Sequence, residues 1–194
     1  MPAGESELKF YLNKKHTLPF FSFQRKSRFF KNFSVPGQTT KGLLKKLRKI
    51  EHRYKKIYPT RKFAIIIAIG TNDSSINKSH PDKNINQIIF EKNIKEIIKI
   101  SKELSDNILV IGLLPVYEKK TSPFMKKNHY LNKRIKRYNE ILRNCSKKEN
   151  VKFIELYNFF IKKDIKTLLK DGLHPNKSGH QIIFEHILKN FNII

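Results

Sequence analysis

The sequence predicts an α/β fold of three layers, a central parallel sheet covered by helices on both faces, and three observations carry that prediction. Phe63 to Ile69 (FAIIIAI) is an unbroken β-branched and aromatic run ending in Gly70, the composition of a strand buried on both faces. Ile108 to Leu114 is a second such run, closed by Pro115. Between and around them lie stretches with apolar residues at helical spacing, so strands and helices alternate along the chain.

Taken in order, Phe29 to Val35 reads as a short strand and Thr40 to Tyr58 as a helix, with Leu43, Leu44, Leu47, Ile50 and Tyr54 on one face. After the strand at Phe63, a polar loop from Thr71 to Lys83 leads to a helix from Asn84 to Leu104. Ile85, Ile88, Ile89, Ile97, Ile98 and Leu104 are its expected inward residues. Beyond the strand at Ile108, Val116 to Lys127 is a polar excursion containing Pro123. A helix from Tyr130 to Cys145 and a strand from Val151 to Glu155 follow. Two short helical pieces fit between Leu156 and Leu169, and a last helix runs from Ser178 to Asn190. Ser178 and Gln181 have the spacing of a capping box at its start.

The 194 residues are expected to form one domain, with residues 1–28 the part that fits this pattern poorly. The longest apolar run falls far short of the roughly 20 residues that cross a bilayer as a helix. No leader of positive, apolar and small-residue segments is visible, so a cytoplasmic location is the expectation. The single cysteine, Cys145, has neither a disulfide partner nor metal-ligand neighbours and reads as structural or incidental. Forty-one Lys and Arg against 16 Asp and Glu leave a net charge of +25. That balance attracts nucleic acid or anionic membrane through weak electrostatic binding, and the joint enrichment of Lys, Ile and Asn is equally the mark of an AT-rich genome.

Three loops carry chemistry. In Ser34-Val35-Pro36-Gly37-Gln38-Thr39-Thr40, Gly37 lets the backbone approach a ligand and offer its amide, although a plain loop glycine looks the same. In Gly70-Thr71-Asn72-Asp73, the Asn72 amide stands at the end of the best strand. It can serve as a fixed donor to a developing oxyanion, or the segment is an ordinary turn. In Asp171-Gly172-Leu173-His174-Pro175, Asp171 can fold its carboxylate onto one ring nitrogen of His174 and leave the other as a general base. His16, His52, His80, His129, His180 and His186 lack so compact a partner and read as surface or structural residues.

In this order, SVPGQTT with GLLKKL after it, GTND, and DGLHP resemble the second, third and fifth sequence blocks of the SGNH (GDSL-like) hydrolase family. VIGLLPV, Val110 to Val116, is similar to the family's fourth strand, and the resemblance runs from about Phe29 to the C-terminus. It implies a flavodoxin-like hydrolase fold and hydrolysis of small-molecule, lipid or carbohydrate esters through a Ser-His-Asp site, with Asp171 and His174 catalytic. Gly37 and Asn72 would form the oxyanion hole, and no metal or cofactor is required.

The departure from the family lies at its first block, a GDS motif directly after the first strand. Gly4-Glu5-Ser6 is the candidate, 31 residues before Gly37, with Glu in place of Asp and only Met1 to Ala3 ahead of it, so the first strand is expected to be missing or truncated. Leu8 to Phe33 is also rich in Lys, Arg and Phe for the connecting helix. Three readings stay open: the true start lies upstream, Ser6 is the nucleophile on an altered scaffold, or the chain has lost catalysis. The rival function is a catalytically inactive member of the same fold acting as a basic nucleic-acid- or anionic-surface-binding module. Oligomeric state leaves no mark on these residues.

Overall fold

The computed structural model of the chain describes residues 8–11, 20–23, 32–57 and 63–191. Where one domain over residues 1–194 is expected, the chain gathers into two compact units, Met1–Gly37 and Gln38–Ile194. The first contains an antiparallel pair, β1 (Leu8–Tyr11) and β2 (Phe20–Phe23), with Leu8 opposite Phe23 and Tyr11 opposite Phe20. Strand pairing therefore occupies a stretch where the family pattern calls for a helix. The strand expected over Phe29 to Val35 is also not found in its described part. Residues 32–35 have no regular structure, because the Asn32 side chain accepts the Ser34 N–H at 2.8 Å and turns the backbone toward Pro36 and Gly37.

The second unit holds a parallel sheet in the order β3 (Ala64–Ile67), β5 (Asn107–Ile111), β7 (Lys152–Ile154). Ile65 pairs with Ile108 and Ile67 with Val110, and Val110 in turn pairs with Phe153. These residues point to one face and join a core with Phe90, Ile94, Ile97 and Ile98 of α2 (Gln87–Leu104) and Ile135, Tyr138 and Leu142 of α4 (Asn132–Lys148). Leu43, Leu44 and Leu47 of α1 (Thr40–Ile57) pack on the same core, as their spacing predicts. Leu109 and Ile111 alternate to the other face of β5 and are buried as well, as are Ile183, Phe184 and Ile187 of α7 (Lys177–Asn190). A continuous apolar run is what such two-sided burial requires. Each fully buried Leu, Ile or Phe contributes about 1.5–3 kcal/mol.

Several boundaries move for local reasons. The helix expected from Asn84 begins at Gln87, after a 3-10 turn at Pro81–Lys83, because the Asn86 side chain caps it by accepting the Ile89 N–H at 2.9 Å. Ile88 and Ile89 do not face inward. They are 79% and 47% exposed, since the inward stripe is Phe90, Ile94, Ile97, Ile98, Ser101 and Leu104 and they fall beside it. The capping box at Ser178 is displaced as well: Asn176 accepts the Gly179 N–H at 3.0 Å, so α7 starts at Lys177, and the Gln181 side chain goes to Glu185.

The excursion after β5 contains α3 (Glu118–Thr121) and β6 (Asn128–His129). β6 pairs antiparallel with β4 (Ile76–Asn77) and so ties the excursion to the loop that follows β3. α5 (Tyr157–Ile161) and α6 (Ile165–Leu168) are the two short helical pieces before the DGLHP loop. Among the described residues no helix is long and apolar enough to cross a membrane.

Candidate active site

The ends of the parallel strands position the first loop. Gly70 follows β3 with φ +123°, and a Cβ there would lie 3.0 Å from Phe90 Cζ and 3.2 Å from Leu113 Cδ2, so only glycine brings the chain over the core at this point. The turn after it closes through the Ser74 N–H on the Gly70 carbonyl at 3.0 Å and the Ser74 hydroxyl on the Thr71 carbonyl at 2.7 Å. Asn72 is partly buried and held on both sides of its amide. Its Nδ2 donates to the Gln38 carbonyl at 3.1 Å, and its Oδ1 accepts from the Tyr130 hydroxyl at 3.1 Å. An amide nitrogen carries two hydrogens, so one is spent on Gln38 and the second is the one that could meet an oxyanion.

Asp73 is fully buried and anchors this turn to the start of α1. It accepts the Thr40 N–H at 3.0 and 3.1 Å and the Thr40 hydroxyl at 2.5 Å, while Asn93 donates to that hydroxyl at 3.0 Å. Burial pushes the Asp73 carboxyl above the usual carboxylate range, and the Thr40 donors oppose that without cancelling it. Arg134 of α4 binds the Ser74 carbonyl through Nε at 2.8 Å, which adds a third support for the turn.

The second loop is built locally. Lys170 N–H donates to the His174 carbonyl at 2.8 Å and Leu169 bridges Pro175, folding residues 169–175 back on themselves. Gly172 has φ +86°, and a Cβ there would fall 2.7 Å from Lys120 Cβ. Inside this turn one Asp171 oxygen accepts the N–H groups of Leu173 and His174 at 3.0 and 2.8 Å, and the other lies 2.8 Å from His174 Nδ1. Burial alone would raise the Asp171 pKa. The His174 backbone and ring, with the Leu173 N–H, outweigh it and hold the carboxyl below its ordinary value. An ionised carboxylate only accepts, so Nδ1 carries the shared proton and Nε2 is the basic nitrogen of the neutral ring.

The excursion joins the two loops. The Tyr130 ring meets Phe124 edge-on with centroids 5.7 Å apart, and Phe124 lies 6.0 Å from the His174 ring. Tyr130 is itself held by the Thr121 hydroxyl on its carbonyl at 3.0 Å, and burial pushes its phenol pKa up. Asn72, Tyr130, Phe124 and His174 thus form one continuous line of contacts. His180, in the first turn of α7, has a buried Nδ1 with no hydrogen-bond partner, and its pKa falls to about 4, through burial first and the nearby His174 second.

Of the residues expected at the site, Asp171 and His174 are in direct contact and Asn72 reaches them through two aromatic rings. Gly37 belongs to the first unit, in a turn with φ +72°, and Ser6 lies outside the described residues. Thr40, Phe124 and Tyr130 escape a reading of the sequence: Thr40 carries only a helix-start signal there, and the two aromatics sit in a polar segment without periodicity. Among the described residues no group of three or more His, Cys, Asp and Glu side chains is placed to hold a metal ion. Cys145 is buried, and burial raises its thiol pKa.

A parallel α/β sheet with a His-Asp pair and an amide donor beyond its strand ends defines a hydrolase-like class. Residues 5–187 match the model of the GDSL-like lipase/acylhydrolase family, and the chain belongs to that family. It is 27% identical over 152 residues to the GDSL esterase/lipase WDL1 of Oryza sativa subsp. japonica, covering 74% of this chain and 58% of that protein's length. Among solved structures it resembles a lipase/acylhydrolase from Enterococcus faecalis, with a TM-score of 0.61, 22% identity and coverage of 79% of this chain and 70% of that one. The acetyl xylan esterase AlAXEase gives 0.59 at 17% identity, covering 80% and 77% of the two chains. The acetylxylan esterase Axe2 from Geobacillus stearothermophilus gives 0.55 at 16%, covering 81% and 70%.

Proposed function

We propose that this chain hydrolyses carboxylic esters by acyl transfer to a serine, with His174 as general base, Asp171 as its orienting carboxylate, and Asn72 and the Gly37 N–H as oxyanion donors. The observation that carries the reading is the 2.8 Å contact between His174 Nδ1 and Asp171, linked through Phe124 and Tyr130 to the held amide of Asn72. The nucleophile in this reading is Ser6, assigned by the order of the family's motifs. Its Oγ bonds to the ester carbon while His174 Nε2 takes the proton. The tetrahedral intermediate then collapses, the ester C–O bond breaks, and the alcohol leaves with that proton. Water, deprotonated by His174, attacks the acyl-serine and releases the acid.

Acetyl esters are the natural first substrates, since two of the similar structures are named acetyl xylan esterases. The test is hydrolysis of 4-nitrophenyl acetate by the chain, by His174→Ala and by Asn72→Ala, with urea midpoints to confirm that each variant folds. Loss of one oxyanion donor lowers turnover by about a hundredfold to a thousandfold. An Asn72→Ala protein with full activity would sink the assignment. The net charge of +25 favours a second reading, a basic binding module on the same fold. It calls for anion binding that weakens steeply with salt and survives His174→Ala.

A further inference from the structure

We infer that the outer face of the helical layer formed by α1, α2 and α4 binds the phosphate backbone of a nucleic-acid duplex. The face uses none of the residues assigned to ester hydrolysis, so the inference stands or falls separately from that reading. α1 carries eight lysines and arginines against one glutamate, and α4 carries seven against one. These 35 residues hold a net +13 of the chain's +25. α2, which packs against both, has four lysines against three glutamates, and α7 has two against one. A bias of genome composition acts on all four helices alike, yet the excess is confined to two of them.

The core decides where these charges point. Leu43, Leu44 and Leu47 turn one side of α1 inward, and Ile135, Tyr138 and Leu142 do the same for α4. Lys41, Lys45, Lys49, Arg53 and Lys56 are exposed on α1, at a spacing that keeps them on the opposite side of the helix. Lys133, Lys136, Arg137, Lys147 and Lys148 are exposed on α4. Among the described residues none of these ten forms an ion pair. The carboxylates of α2 are already engaged, Glu91 with Lys95, Glu96 with Arg48 and Glu103 with Lys55. Glu51 is held by Lys55, which leaves half-buried Glu140 as the acid opposing the two rows.

The rows fit a duplex better than a membrane. Each follows a helix about 26–27 Å long, and with neighbouring axes about 8–10 Å apart the rows of α1 and α4 run about 16–20 Å from each other. A duplex presents its phosphates as two strands bounding a major groove about 12 Å wide, a similar spacing once the strands' own thickness is added. The near-neutral strip of α2 between the rows then lies under the groove. An interfacial helix sinks an apolar face into lipid, whereas the apolar faces of α1 and α4 are spent on the core. Among the described residues the exposed large apolar side chains of this layer are Ile88 and Ile89, both at the start of α2. Single strands are held by stacking on aromatic rings, and no described Phe or Tyr of α1 or α4 is exposed.

The test is fluorescence anisotropy of a labelled DNA duplex of about 20 base pairs titrated with the full chain at several salt concentrations. With about half of the ten free cations on phosphates, log K should fall against log salt with a slope of about −4 to −5. Lys45→Gln/Lys49→Gln/Lys56→Gln on α1 and Lys133→Gln/Arg137→Gln/Lys148→Gln on α4 should each weaken binding on the order of tenfold and make the slope shallower by about 2. Lys162→Gln/Lys163→Gln/Lys189→Gln removes the same charge outside this layer and should change neither. His174→Ala should bind the duplex like the parent. Equal weakening in all three triple variants, or none in the α1 and α4 variants, overturns the inference, as does loss of binding in His174→Ala. Absence of salt-dependent duplex binding also overturns it, and retention on phosphatidylserine vesicles through the same lysines would then give the face to a membrane.

Discussion

Asp73 offers the sharpest test of how the candidate site is held. Replacing it by Ala strips the acceptor from two buried donors, the Thr40 N–H and the Thr40 hydroxyl, at a residue that is itself fully buried. Each donor left unmet costs about 1–3 kcal/mol, so Asp73→Ala should lose about 3–5 kcal/mol with the small cavity included. That is a large part of the roughly 5–15 kcal/mol a domain has in all. Asp73→Asn should behave differently. Its Oδ1 keeps the Thr40 N–H and its Nδ2 can donate to Thr40 Oγ1, leaving one hydroxyl hydrogen unmet, while the cost of burying an ionised carboxylate disappears. Because burial raises the Asp73 pKa, the folded chain holds that proton more tightly than the unfolded one, so the cost of ionising it grows as pH rises through the folded pKa. At pH 7 Asp73→Asn should therefore lie within about 1–2 kcal/mol of the parent. Urea unfolding followed by far-ultraviolet circular dichroism measures both. An Ala variant that loses less than about 1 kcal/mol, or an Asn variant as damaged as the Ala variant, would refute this account.

His180, with its pKa near 4, gives a pH signature. The unfolded chain gains a proton as pH falls through 6.5 and the folded chain does not until about 4, so stability present above pH 6.5 is lost between those values. Partial exposure of the ring reduces this to about 1–2 kcal/mol. His180→Leu should flatten that part of the difference between urea midpoints at pH 7 and pH 4.5, and a variant with the parent's full slope would count against it. Gly70→Ala forces a side chain onto φ +123° and a Cβ to within 3.0 Å of Phe90, so a loss of about 2–4 kcal/mol is expected in thermal or urea melts. A change below about 0.5 kcal/mol would show that the turn relaxes freely.

How far these features could be read from the sequence depends on how far apart the partners stand. The strands at Phe63 and Ile108 were legible because two-sided burial leaves an unbroken apolar run. The His174 loop was legible because Asp171 stands three residues away, within one turn. Ile88 and Ile89 misled because helical spacing admits more than one stripe, and only packing on β3 and β5 selects Phe90, Ile94 and Ile97. The bonds of Asp73 to Thr40 and of Tyr130 to Asn72 span 33 and 58 residues, and no local pattern announces them. The hairpin of β1 and β2 lies in a stretch rich in Phe and Lys without strict alternation, so its strand pairing gives little period-2 signal.

This difference in range implies a difference in how the two halves of the candidate site respond to change. The Asp171–His174 pair is held mainly by bonds within residues 169–175, with the Tyr117 N–H on the Gly172 carbonyl and the Phe124 ring against His174 as its supports from the excursion. Asn72 stands where four segments meet: the residues before α1 through Gln38, α1 itself through Thr40 and Asp73, α4 through Arg134, and the excursion through Tyr130. Gln38 and Tyr130 hold its amide directly, and Asp73 and Arg134 hold the turn that carries it. A substitution in one of these segments can therefore disturb Asn72 while the contact between Asp171 and His174 stays in place. The proposed ester hydrolysis needs both, the compact turn around His174 and the long-range assembly around Asn72.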